Sequence, residues 1–298
     1  MNVTWNGVYP AVTTQFHDDD SLDLKTTAEQ IENLITAGVN GLIMLGTVGE
    51  NNSLTREEKI EVLKLAQEVS NGRVPVISGV SEFTTANACS YAKLCEGLGI
   101  DGLMVLPAMV YNSDARETIN HFKTVAKASN LPIMCYNNPV VYGVDISPEM
   151  FMEMVDCETI VAVKESSDDP RRVTDVFNTC GDRFLVFCGV DDLVMESAAL
   201  GVVGWVSGLT DAFPQESVRL WKLLTEGKFA EALPLYRWFT PVLHLDTHSK
   251  LVQYIKLAQA MTGVGSENVR APRLKLVGEE RERVSKIIQD TIDTRPAA

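Results

Sequence analysis

Positive charge is what this sequence has least of. Its 26 Lys and Arg are outnumbered by 40 Asp and Glu, a formal net charge of −14. No basic patch stands ready to displace counterions from phosphates, which argues against nucleic acid and against an anionic membrane surface as partners. Long apolar runs are missing too, since none approaches the roughly 18 residues of a membrane span. The six cysteines (Cys89, Cys95, Cys135, Cys157, Cys180 and Cys188) form no CxxC pair and no zinc-like grouping. Four of them fall within helical or strand patterns, where a small buried thiol is the ordinary reading. Reduced cysteines, with no basic-then-apolar stretch at the N-terminus, lead us to expect a cytoplasmic protein. There is no phosphate loop ending in lysine and no defensible Ser-His-Asp pattern. Ser/Gly-rich linkers and low-complexity tracts are absent.

What remains is a chain of 298 residues, 45% hydrophobic, long enough for an α/β barrel of about 250 residues. Short apolar runs alternate with amphipathic stretches through its first two-thirds. The predicted strands are Val8–Thr13, Gly41–Leu45, Val74–Ser78, Gly102–Leu106, Pro132–Tyr136, Ile160–Val163, Phe184–Phe187 and Gly201–Val206. Helix starts lie between them. Thr55-Arg56-Glu57-Glu58 reads as a capping box, and Ser147-Pro148 as a cap followed by proline at the first helical position. Near-continuous apolar strands, each followed by a helix, predict parallel pairing buried on both faces. The fold class is therefore α/β, a (βα)8 TIM barrel over residues 1–211. Beyond Asp211 only helical patterns continue (Glu216–Thr225, Lys228–His244, Lys250–Met261, Glu279–Thr294). Residues 212–298 are expected to be a C-terminal helical bundle packed on the barrel as one structural unit.

Barrel chemistry lies at the C-terminal ends of the strands. There the run Ile160-Val161-Ala162-Val163, three of its four residues β-branched, is closed by Lys164. Burial at that point favours the neutral amine, the nucleophile needed to make an imine with a carbonyl compound. A strand-end lysine can equally snorkel to solvent or pair with a carboxylate. Tyr136, after Ile133-Met134-Cys135, could carry protons near Lys164, or could be an aromatic core residue with a satisfied hydroxyl. The loop Gly46-Thr47-Val48-Gly49-Glu50 could aim backbone N–H groups at a carboxylate, with Thr47 linking one phenol to the next, or could be a tight turn. Gly189 and Ser207, at the ends of strands seven and eight, complete the expected substrate-facing set. Tyr111 lies further along its loop. His244-Leu245-Asp246-Thr247-His248 places two histidines four apart, yet it reads as a polar helix junction in the tail, away from the active face. Asp168-Asp169-Pro170-Arg171-Arg172 reads as a solvated loop that could shape the pocket rim.

Gly46-Thr47-Val48-Gly49-Glu50, Tyr136-Asn137-Asn138-Pro139 and Val163-Lys164-Glu165-Ser166, in this order and spacing, resemble the dihydrodipicolinate synthase and N-acetylneuraminate lyase family of class I aldolases. The resemblance covers nearly the whole chain. It implies a Schiff-base lysine at Lys164, a proton-relay tyrosine at Tyr136 with Thr47 in the relay, and carboxylate binding by Gly46–Gly49. It implies no cofactor beyond the covalent imine. Tyr111-Asn112 looks like the family's loop tyrosine, which in many members enters a neighbouring subunit's site, and the assembly implied is a homotetramer built as a dimer of dimers. Two departures bear on the substrate. Val48 replaces a threonine, and Pro139-Val140-Val141-Tyr142 lacks the arginine that holds the aldehyde substrate's carboxylate in dihydrodipicolinate synthases, a bidentate contact no hydrophobe replaces. With Pro107-Ala108-Met109-Val110-Tyr111 and Gly204-Trp205-Val206-Ser207-Gly208, these segments look most like the branch holding 1-pyrroline-4-hydroxy-2-carboxylate deaminases. The activity implied is conversion of that cyclic imino acid to 2,5-dioxopentanoate and ammonia, in hydroxyproline breakdown. The alternatives are a pyruvate-dependent aldolase, a 2-keto-3-deoxy sugar acid dehydratase, and, from another class, a non-catalytic keto acid sensor. The Trp205-Val206 rim favours a small substrate.

Overall fold

The computed structural model describes residues 3–296. Eight strands form one parallel sheet: β1 (Gly7–Pro10), β2 (Leu42–Met44), β3 (Val76–Val80), β4 (Gly102–Val105), β5 (Ile133–Asn137), β6 (Ile160–Glu165), β7 (Leu185–Cys188) and β8 (Gly204–Ser207). Each pairs with its sequence neighbour, and β8 returns to β1. A parallel bridge between Ala11 and Ile43 joins β1 to β2, so the sheet closes on itself and has no free edge. The strands are apolar and buried, as a sheet covered by helices requires. All eight predicted strands are present. The sixth runs two residues further than its apolar pattern, so Lys164 lies in the strand, paired in register with Tyr136. The eighth starts at Gly204, three residues later than expected.

Around the barrel lie α1 (Leu24–Ala37), α2 (Arg56–Ser70), α3 (Thr85–Leu98), α4 (Ala115–Ala126), the short α5 (Pro139–Tyr142) and α6 (Pro148–Met152), α7 (Arg171–Cys180), α8 (Val194–Ala199) and α9 (Pro214–Thr225). The capping box forms as read: Glu58 N donates to Thr55 Oγ1 (3.2 Å) and Thr55 N to the Glu58 carboxylate (2.8 Å). α9 packs against α1 and β1 and leads into α10 (Phe229–Leu243), α11 (Leu251–Thr262) and α12 (Gly278–Asp293).

The path of these last helices matters for function. A 3₁₀ turn, His244–Thr247, packs on the turn Asp191–Leu193 that follows β7, and α11 packs on the turn Leu209–Asp211 that follows β8. The tail therefore lies over the C-terminal mouth of the barrel, where sequence analysis had placed this segment away from it. A fully buried ion pair fastens it there. Lys256 of α11 donates to Glu50 Oε1 and to the Asn268 carbonyl, both at 2.6 Å, while Arg270 N donates to Glu50 Oε2 at 3.0 Å. No helix among the described residues is long and apolar enough to cross a membrane.

Candidate active site

A cavity of about 390 Å³ opens at the C-terminal end of the barrel. Lys164 lies at its wall, 6% exposed, with Nζ 4.0 Å from the centroid of the Tyr136 ring. Among the described residues no carboxylate oxygen comes within 4.0 Å of the amine. Burial pulls its pKa below 10.5, and the fields of Asp246, Tyr142 and Asp191 oppose that only in part. The snorkelling and ion-paired alternatives for this lysine are both unmet.

Gly189 makes room for it. A Cβ at that position would stand 2.7 Å from both Lys164 Cγ and Cε, closer than any ordinary carbon contact. Gly189 thus lines the cavity itself and leaves space there for the lysine stem. On the other side Tyr136 is buried, and desolvation pushes its phenol up to about 12. Its oxygen accepts from Asn138 Nδ2 at 3.0 Å, and Asn138 Oδ1 accepts from Val141 N at 2.9 Å, capping α5. One asparagine therefore fixes both the first phenol and the helix carrying a second. That second phenol is Tyr142, edge-on to Tyr136 with ring centroids 5.7 Å apart and hydrogen-bonded to Thr47 Oγ1. Burial raises its pKa as well. Thr47 does join a phenol, but the phenol is Tyr142, which drew notice in the sequence only as a position without arginine.

The other expected residues divide. Gly46, Thr47 and Val48 line the cavity. Gly49 lies behind the loop, where a Cβ would stand 2.9 Å from the Val12 carbonyl, so it serves close backbone packing. Ser207 also faces away. It is fully buried and donates to Asp191 Oδ2 at 3.1 Å, while Trp205, two residues back on the same face of β8, donates to Asp191 Oδ1 at 3.0 Å. Of the expected Trp205-Val206 rim only Val206 reaches the cavity. Tyr111 is 60% exposed and donates to Glu117 at 3.0 Å, so within this chain it lines no cavity.

Three polar residues that sequence reasoning left aside complete the wall. Asp246 and His248, from the segment read as a remote helix junction, both line the cavity. The segment is a 3₁₀ turn, and residues four apart do not share a face in it. His244 accordingly pairs with Asp192 at 2.5 Å, while His248 stacks on Tyr254. Among the described residues no cluster of three or more His, Cys, Asp or Glu could hold a metal. Arg273 enters from the stretch before α12, with Nη1 3.9 Å from Glu50 and 3.5 Å from Ser53 Oγ. Arg273 thus brings a guanidinium to the cavity from the tail, on the side of the Thr47 loop. Asp168 lines the rim as expected.

Fold and cavity define the class: a (βα)8-barrel enzyme with its site at the C-terminal face. The particular family follows from comparison. The model of the Dihydrodipicolinate synthetase family matches residues 4–291, and the chain belongs to that family. The 4-hydroxy-tetrahydrodipicolinate synthase of an Exiguobacterium species is 33% identical over 284 residues, 95% of this chain and 96% of its own. The solved 4-hydroxy-tetrahydrodipicolinate synthase of Methylacidiphilum fumariolicum SolV superposes with a TM-score of 0.93 at 28% identity, covering 97% of either chain. A prophage protein of E. coli K12 from the same family, solved in complex with pyruvate, gives a TM-score of 0.91 at 27% identity over 97% of this chain and 99% of its own. Enzymes of this family are lyases that work through a covalent lysine imine without a metal cofactor.

Proposed function

We propose that this enzyme opens a small cyclic imino acid, 1-pyrroline-4-hydroxy-2-carboxylate, on Lys164 and releases ammonia and 2,5-dioxopentanoate. The observation that carries imine chemistry is the state of Lys164: buried, biased toward the neutral amine, without an ion-pair partner, and beside a cavity. The choice of substrate rests on the sequence likeness to that branch and on Val140 and Val141, which line the cavity where the relatives' aldehyde substrate would need a guanidinium. Arg273 does not fill that role, because its tethers to Glu50 and Ser53 set it beside the loop that takes the first carboxylate.

In this mechanism the N–H groups of Gly46, Thr47 and Val48, with Arg273 behind them, hold the carboxylate. Lys164 adds to C2, and the C2–N bond of the ring breaks to leave a lysine-bound imine. The imine draws electrons from C3, whose proton leaves toward Tyr136. The C4 hydroxyl departs as water, and Tyr136, Tyr142 and Thr47 form the path for the protons exchanged. A shift of the double bond places an imine at C5, and two hydrolyses free ammonia and the dioxo acid, for a net uptake of one water. Tyr111 takes its part in a homotetramer, entering the cavity of a neighbouring subunit. An ammonia-coupled assay with this imino acid, run beside pyruvate plus aspartate semialdehyde, tests the reading. Ammonia from the first and no condensation with the second is the expected result, and the reverse pattern identifies a 4-hydroxy-tetrahydrodipicolinate synthase. Pyruvate, the ligand of the prophage relative, serves as the smallest imine-forming probe.

A further inference from the structure

We propose that Asp246, carried to the cavity by the C-terminal helices, is the specificity residue that binds the nitrogen of the substrate as an ammonium. This deepens the deaminase reading and rests on it. The geometry begins with the turn His244–Thr247, which packs on the turn after β7 and directs the Asp246 side chain into the barrel mouth. There Asp246 lies beside Asp191, in the turn after β7. Its Oδ1 lies so near Gly208 that a Cβ on that glycine would stand 2.7 Å away. The side chain therefore sits against the backbone that follows β8.

What Asp246 lacks is a counter-ion. Among the described residues no lysine, arginine or histidine nitrogen lies within 4.0 Å of it. The groups that act on it are Lys164 from β6, Asp168 after β6, and Asp191 and Asp192 after β7, three of the four acidic. Lys164 is the one basic group among them, and its own burial favours the uncharged amine. A carboxylate in such a place calls for a cation brought by the ligand. Ser166 also lines the cavity, and its buried Oγ has no hydrogen-bond partner. Arg273 lines the same cavity, beside the Thr47 loop. A ligand with an acid group at the Thr47 loop and a positive nitrogen toward Asp246 matches both ends.

The ring-opening step makes such a ligand. When Lys164 Nζ bonds to C2 and the C2–N bond breaks, the bonding pair stays on the ring nitrogen. The two hydrogens of the lysine amine pass to that nitrogen, and with the proton it carried as a cyclic iminium it becomes an ammonium, so charge is conserved. The ammonium sits four bonds along the chain from the imine carbon. Asp246 holds it there, away from C2, and so prevents the ring from closing again.

The test compares two ligands that form an imine but cannot eliminate water: 1-pyrroline-2-carboxylate, which opens to an ammonium-bearing chain, and 2-oxopentanoate, which has the same carbons and no nitrogen. Each is trapped on the full-length protein with cyanoborohydride and followed by intact mass. The wild type is expected to favour the nitrogen-bearing acid by about 30-fold or more, the scale of a buried charge contact. Asp246→Asn is expected to bring the ratio to about one, and Asp246→Glu to retain much of it. Any general effect on imine formation cancels in the ratio. A wild type without the preference, or an Asp246→Asn protein that keeps it, overturns the proposal. The wild-type ratio decides alone if the variant fails to fold. Ammonia release with no nitrogen preference sinks this inference and spares the deaminase reading, whereas preference without ammonia release does the opposite.

Discussion

Two of the three buried lysines among the described residues look alike in burial, ring contact and direction of pKa shift. Lys164 and Lys256 are 6% and 0% exposed, each lies over an aromatic ring (Tyr136 at 4.0 Å, Phe16 at 4.4 Å), and burial lowers the pKa of both. Their surroundings separate them. Lys256 gives its hydrogens to Glu50 and the Asn268 carbonyl and is not among the residues that line the cavity. Lys164 has no such partner and faces a cavity. A depressed pKa is common to a structural ion pair and a nucleophile, so it does not single out the reactive amine. An unfilled donor next to room for a carbonyl carbon does. Lys256 has a different task, since with Glu50 it anchors the tail that brings Asp246 and Arg273 to the mouth.

The comparison breaks most sharply if the wrong lysine is reactive. Lys164→Ala is expected to abolish both turnover and borohydride trapping of pyruvate, and peptide mapping should find the wild-type adduct on Lys164 alone. A wild-type adduct on Lys256, or turnover in Lys164→Ala at the normal rate, would end the case. Tyr136→Phe comes next. It leaves the amine in place, so trapping should persist while kcat falls about 10²–10⁴-fold, the usual weight of a positioned acid–base group. Equal losses in trapping and turnover would instead make the phenol a packing residue. Glu50→Gln strikes the second lysine. A buried pair that loses one charge costs about 3–5 kcal/mol, to be read as a lower denaturant midpoint. An unchanged midpoint would show that the pair does not fasten the tail.

The barrel was legible because parallel strands buried on both faces write themselves as apolar runs, and Lys164 ended the clearest of them. The two phenols were half legible. Tyr136 belongs to such a run, but Tyr142 sits on a four-residue helix whose position depends on the Asn138 hydrogen bonds. Ser207 and Trp205 were misjudged for a local reason. Alternation on β8 puts both on the face that bonds Asp191 and leaves only Val206 toward the cavity. Asp246 lies some eighty residues from Lys164 and Arg273 lies 220 from Ser53, and no spacing rule connects them. A signal did exist in the polar stretch around Asp246, but helical periodicity placed it on a remote helix junction.

The smallest expected effect distinguishes Lys256 by its proton. Burial lowers its pKa to about 8 in the folded protein, against roughly 10.4 in an unfolded chain. Between those values the unfolded state binds the extra proton, so this lysine's contribution to stability is complete above the unfolded value and is lost as pH falls through about 8. The six thiols, all raised by burial, act in the opposite direction in the same window. The quantity to measure is therefore the difference in unfolding free energy between wild type and Lys256→Met, in which the thiols cancel. It should move in favour of the wild type by about 1–3 kcal/mol from pH 8 to pH 10. A flat difference would mean that Lys256 keeps its proton throughout, and that Glu50 outweighs the burial.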